Sequence, residues 1–144
     1  MRIVASGFGA GYAPLVPGTV GSLLALPLWY WGGGLGPAHF GSLAAVVVLA
    51  LPAARAEMRA TGEKDPPSVV IDEVAGMLVA ATGIPWGWTT ALVLFVLFRF
   101  FDIVKWGPVA WLDAREGAFW VVADDLAAGI FANLACRGIF WLAR

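Results

Sequence analysis

VVIDEVAGMLVAATGIPWGWTTALVLFVLFRFFDIVK, residues 69–105, holds the pattern that decides the fold. Acids stand near its start, Asp72-Glu73. No Asp, Glu, Lys or Arg follows from residue 74 to 98, and charge returns as Arg99, Asp102 and Lys105. The uncharged turn Gly83-Ile84-Pro85-Trp86-Gly87 divides the apolar run in two. Two apolar helices joined by so tight a turn run antiparallel, which brings both charged ends to one side. An ionisable group beside a membrane-length apolar run marks a functional site, because burying its charge in lipid is costly.

The same layout extends outward. Residues 3 to 54 contain no charged residue, and a last acid pair stands at Asp124-Asp125. Over the 144 residues, 60% are hydrophobic and 13% charged, about half the charge of a soluble domain. The length suits one domain, residues 1–144, with the bilayer as solvent for the apolar excess. A net charge of −1 gives no basic field for nucleic acid. The lone Cys136 excludes disulfides and cysteine-based zinc sites within one chain, and it lacks the Arg-closed loop of a cysteine phosphatase. The Gly-rich start is no signal peptide, so insertion is expected through internal helices.

Five apolar helices are expected: Thr19–Trp31, kinked at Pro27, then Phe40–Met58, Ser68–Thr82 with Ser68 as its cap, Thr89–Val104 and Phe119–Leu142. Residues 1–16 and 106–116 read as loops. The turns at 32–39 and 83–88 carry no formal charge. Those at 55–67 and 105–116 carry Arg55, Arg59, Lys64, Lys105 and Arg115, and so face the cytoplasm by the positive-inside rule. Trp29, Trp31, Trp86 and Trp88 then mark the far interface, Trp106, Trp111 and Trp120 the near one. His39, the single histidine, falls in the far turn as an interfacial residue, away from the acids. The expected architecture is an all-α polytopic membrane bundle whose charged helix ends converge on the cytoplasmic side.

That convergence defines a candidate site. Asp72, Glu73, Asp102, Asp124 and Asp125 come from three helices and supply the oxygen ligands that a hard cation such as Mg²⁺ takes together with substrate phosphate. Acids in the first turn of a helix also complement its dipole, but that reading explains Asp102, at a carboxyl end, poorly. Arg99, Asp102 and Lys105, at i, i+3 and i+6, share one helix face, the cations suited to phosphate oxygens. Pro17-Gly18-Thr19-Val20-Gly21-Ser22 opens the first helix with free backbone N–H groups for an anion, although it lacks the Lys of a P-loop. With His39 remote, base work falls to a carboxylate or to water acidified by the metal.

The motifs PGTVGS (17–22), VVIDEVAGM (69–77), FRFFDIVK (98–105) and VADDLAAGI (122–130), in this order over nearly the whole chain, resemble the phosphatidylglycerophosphatase A family. The resemblance implies an all-helical, Mg²⁺-dependent phosphatase of the bacterial inner membrane, converting phosphatidylglycerophosphate to phosphatidylglycerol at the cytoplasmic face. It implies metal ligation by Asp72, Glu73, Asp102, Asp124 and Asp125, with Asp72, Asp102, Asp125 and Lys105 catalytic. Substrate would be held by Arg99, Lys105, Thr19, Ser22, Gly18 and Gly21. The chain departs from the family at Lys105-Trp106, where Lys-Pro is usual, and at Gly117-Ala118-Phe119-Trp120. Water attack and an aspartyl-phosphate intermediate are both compatible with these residues. The rival classes are a small transporter subunit, which needs charge at several depths, and a scaffold, which has no need of clustered acids.

Overall fold

A computed structural model describes residues 1–143. It is all-helical, with no strand among the described residues. The order is α1 (Arg2–Ala5), a 3₁₀ turn (Ala10–Tyr12), α2 (Pro17–Gly32), α3 (Pro37–Thr61), α4 (Ile71–Ala81), α5 (Trp88–Val104), α6 (Pro108–Asp113) and α7 (Ala118–Leu142). The five expected helices correspond to α2, α3, α4, α5 and α7. The two expected loops contain the short α1, the 3₁₀ turn and α6, too brief to leave a periodic signal in sequence.

Proline and glycine set the helix bounds. Pro17, Pro37 and Pro108 each open a helix at its first turn, where the missing N–H costs nothing. Gly33 (φ 64°) and Gly62 (φ 74°) close α2 and α3 in the left-handed conformation that residues with a Cβ avoid. α3 therefore runs beyond the expected Phe40–Met58 at both ends. Ser68 is not the cap of α4. That place is Val70's, and Ser68 Oγ instead donates to Glu57 Oε1 at 2.8 Å.

α3 and α7, each of 25 residues, are long and apolar enough to cross a membrane; at 1.5 Å per residue each reaches about 37 Å. α4 has 11 residues, nine of them buried, and it packs against α2, α3, α5 and α7. A helix apolar all round is an interior helix, and here α4 forms the axis of the bundle. The outer faces of α2, α3, α5 and α7 carry exposed large apolar groups, among them Trp31, Phe40, Val48, Leu92, Val96 and Leu134. An apolar exterior of this extent marks a surface for contact with a membrane or another protein.

Two residues placed at the far interface belong inside. Trp29 is fully buried, its Nε1 donating to Ile84 O at 3.0 Å and its ring edge-on to Trp86 at 5.0 Å. The indole turns inward because it ties α2 to the 83–87 turn, whereas Trp31 and Trp88 stay 82% and 84% exposed. His39 is likewise fully buried within α3, with Nε2 3.1 Å from Thr82 Oγ1. Gly32 leaves the space it fills, since a Cβ there would meet His39 at 2.7 Å.

Candidate active site

The crossing of α4 and α7 builds the site. Gly76 lies one turn after Asp72, and Gly129 one turn after Asp125. A Cβ on Gly76 would meet the Asp125 carbonyl oxygen at 2.6 Å and the Phe98 ring at 2.7 Å; one on Gly129 would run into the Gly76 carbonyl. Small residues allow backbones to approach this closely, and the approach carries the acids one turn above into proximity. Asp72, Glu73 and Asp125 offer carboxylate oxygens that all lie within 4.8 Å of one another. Asp72 is 4% exposed and Asp125 5%.

Like charges this close in a dry site repel, so protons or a bound cation must offset them. The oxygen-only donor set suits a hard divalent ion. Glu73 Oε2 is buried without a hydrogen-bond partner, an acceptor that a cation would satisfy. Asp72 Oδ1 accepts from the Glu73 N–H, and Asp124 Oδ1 from the Asp125 N–H, each at 3.0 Å. Asp72 and Glu73 occupy the first turn of α4, where a dipole role is available, but Asp124 and Asp125 sit well inside α7 and have no such explanation.

Cations flank the trio. Arg99 Nη1 donates to Asp102 Oδ2 at 2.5 Å, while its buried Nε has no partner. Lys105 closes α5 in the left-handed region (φ 48°) and donates to Asp113 Oδ1 and Asp124 Oδ2, both at 2.6 Å. Burial alone would depress the Lys105 ammonium, but the bonds to Asp113 and Asp124 outweigh it and hold its pKa raised. Asp65 is pushed up, chiefly by burial, against the pull of Lys105. A cleft of about 110 Å³ is walled by Asp65, Asp72, Glu73, Asp102, Lys105 and both acids of the Asp124-Asp125 pair, with Arg99 outside its wall and joined to it through Asp102.

Of the five acids expected around a metal, the structure gathers Asp72, Glu73 and Asp125, with Asp102 and Asp124 in the same cleft but engaged by Arg99 and Lys105. From the glycine loop, Gly18 reaches the charged groups: a Cβ there would collide with Glu73 Oε1 and approach Arg99 Nη1 at 3.0 Å. Gly21 packs on Val70, Ser22 Oγ donates to Gly18 O at 2.8 Å within its own helix, and neither they nor Thr19 is in the cleft wall.

Sequence reasoning passed over Asp65 and Asp113, which lie in turns read only for their charge. It also passed over Glu57, fully buried and accepting from Arg2 (2.8 Å), Tyr12 (3.3 Å) and Ser68. Val70 N–H donates to Ala5 O at 2.8 Å, so the amino-terminal segment is laced to the lead-in of α4. The signal that was available for the crossing is the shared spacing Asp72-x-x-x-Gly76 and Asp125-x-x-x-Gly129.

Comparison with known proteins bears on the family of the chain. The family model described as phosphatidylglycerophosphatase A matches residues 3–140. The chain is 35% identical to phosphatidylglycerophosphatase A of Escherichia coli (strain K12), an alignment covering 91% of this chain and 78% of that protein. It is 31% identical to phosphatidylglycerophosphatase A of Haemophilus influenzae, over 99% and 90% of the two chains. It is 34% identical to a Bacteroides thetaiotaomicron protein named "Putative phosphatidylinositol-3-phosphatase", over 97% and 93%. No solved structure matches.

Proposed function

The chain belongs to the phosphatidylglycerophosphatase A family and is a phosphatase, and from that premise we propose that it hydrolyses phosphatidylglycerophosphate to phosphatidylglycerol and phosphate with a divalent cation, Mg²⁺, in the Asp72–Glu73–Asp125 trio. The observation that carries this reading is the meeting of those three carboxylates with Arg99 and Lys105 beside them.

The residues divide the work by charge. Asp72, Glu73 and Asp125 hold the cation, which when bound neutralises phosphoryl oxygens and acidifies water. Arg99 forks toward the phosphate from beside Gly18, its unpartnered Nε a free donor. Lys105, kept protonated by its two carboxylates, adds a fixed positive charge where negative charge builds in the transition state. A carboxylate of the cleft takes a proton from the attacking water as its oxygen bonds to phosphorus, the P–O bond to glycerol breaks, and the glycerol oxygen receives that proton from the carboxylate and leaves as a hydroxyl.

The enzyme is proposed to be a multi-pass protein of the inner membrane with this cleft at the cytoplasmic face. Two long apolar helices support that placement, as do Arg55 and Arg59 near the carboxyl end of α3 with Lys64 and Lys105 in the connections at the acidic end.

The test is phosphate release by purified protein from phosphatidylglycerophosphate, with and without Mg²⁺, beside Asp72→Asn and Asp125→Asn. Release that needs Mg²⁺ and falls at least about a hundredfold in both variants is expected, since truncating a group that stabilises transition-state charge costs on this order. Full activity in both variants would discard the site. Phosphatidylinositol 3-phosphate belongs in the same assay, because one relative's name points to that lipid, and preference for it would reassign the substrate.

A further inference from the structure

A second cavity adjoins the carboxylate cleft. It measures about 220 Å³ and is walled by Lys64, Asp65, Asp113, Arg115, Glu116 and Asp124 among others. Asp65, Val121 and Asp124 line both cavities, so the two lie side by side across a shared wall. Most of the charge around the second cavity is paired internally. Lys64 bridges Glu116, and Lys105 bridges Asp113 and Asp124.

Arg115 differs. No carboxylate among the described residues forms a salt bridge with it. Its guanidinium carbon instead lies 3.7 Å from the Trp111 ring centroid and 4.6 Å from that of Trp120, and the two indoles meet edge to face at 6.0 Å. Stacking on aromatic faces fixes a guanidinium without neutralising it or using up its in-plane N–H donors. Arg115 is exposed to solvent, and a preorganised cation with no acid partner beside a phosphatase centre is placed to meet a second anion.

We propose that the Arg115 cavity binds the bridging phosphodiester of the lipid headgroup while the terminal phosphate occupies the carboxylate cleft. This rests on the reading given under Proposed function and deepens it. Phosphatidylglycerophosphate carries two phosphates on one glycerol, with a free hydroxyl between them. Asp65, common to both cavities, faces that hydroxyl and accepts its hydrogen bond. Arg115 pairs with the diester oxygens through its fork. Phosphatidic acid, with a single phosphate joined directly to diacylglycerol, offers no second phosphate to Arg115 and no bridging hydroxyl to Asp65. Selection between the two lipids therefore comes from the second cavity, while both present the same monoester to the cleft.

The experiment measures kcat/KM for phosphatidylglycerophosphate and for phosphatidic acid in mixed micelles, in the wild type, Arg115→Gln and Arg115→Glu. The ratio of the two values is expected to fall about tenfold in Arg115→Gln, the loss of one charge-assisted hydrogen bond, and further in Arg115→Glu, where a carboxylate repels the diester. Activity toward phosphatidic acid reports that the variants are folded. An unaltered ratio in both variants, or an equal loss on both lipids, overturns the proposal. A wild type inactive on phosphatidylglycerophosphate would instead overturn the substrate reading on which it rests, so the two failures are distinct.

Discussion

Gly76→Ala probes the relation between helix packing and the acid trio. The added Cβ would stand 2.6 Å from the Asp125 carbonyl oxygen and 2.7 Å from the Phe98 ring, where ordinary contact begins at 3.4 Å. Part of the obstacle is helix backbone, so α4 and α7 must separate for the methyl to fit. Two effects on stability oppose. Alanine in a helix interior gains about 1 kcal/mol over glycine, while overpacking a close-packed interface costs about 1–3 kcal/mol. The net loss of stability is thus small, about 0–2 kcal/mol, and the fold survives. The cation site does not tolerate the same movement, because ligand distances must hold to within about 0.2 Å. The expected result is a rise of at least about tenfold in the Mg²⁺ concentration for half-maximal activity, roughly 1.4 kcal/mol. A matching loss of Mn²⁺ affinity by calorimetry in detergent should accompany it. Gly41→Ala is the control, since nothing lies within 4 Å of its Cβ position. If Gly76→Ala binds cation as the wild type does, the claim that this crossing sets the carboxylate spacing is wrong.

Other expectations follow from single contacts. Gly18→Ala should lower kcat by displacing Glu73 and Arg99 together, with thermal unfolding little changed; a normal kcat would separate the glycine loop from the site. Arg2→Ala removes the charged partner of the buried Glu57 and should destabilise the fold, read as a lowered unfolding midpoint and faster proteolysis near the amino terminus. Lys105→Met should unfold more readily than the wild type by a margin set by pH. The folded pKa of Lys105 is raised above its ordinary 10.5. Its contribution is therefore fully present below that value and lost only as pH climbs beyond it. Unfolding midpoints across the alkaline range check this, and a margin that vanishes near neutrality would refute the bridges.

The sequence by itself determined the helical class and the places of the five main helices, because those follow from local rules. Long apolar runs between turns rich in glycine and proline read as helices, although the limits that Pro17, Pro37, Gly33 and Gly62 set lie up to three residues beyond those expected. The charged residues were visible for the same reason, standing out against residues 3–54 and 74–98. What only the tertiary structure decided was which groups meet. Asp72, Glu73 and Asp125 converge because Gly76 and Gly129 let two helices touch, a contact between residues 53 apart in sequence. Asp124, adjacent to Asp125, turns to Lys105 instead. Trp29 and His39 read as interfacial from neighbouring charge and turn pattern, yet both are buried by partners, Ile84 and Thr82, that lie more than forty residues away. Arg115 and Glu57 look alike as polar residues of charged turns and helix ends. The fold leaves one cation stacked between indoles without an acid and seals the other residue's charge beneath three donors. Spacing along a chain fixes the face a side chain occupies, but its partner depends on how closely the backbones can approach.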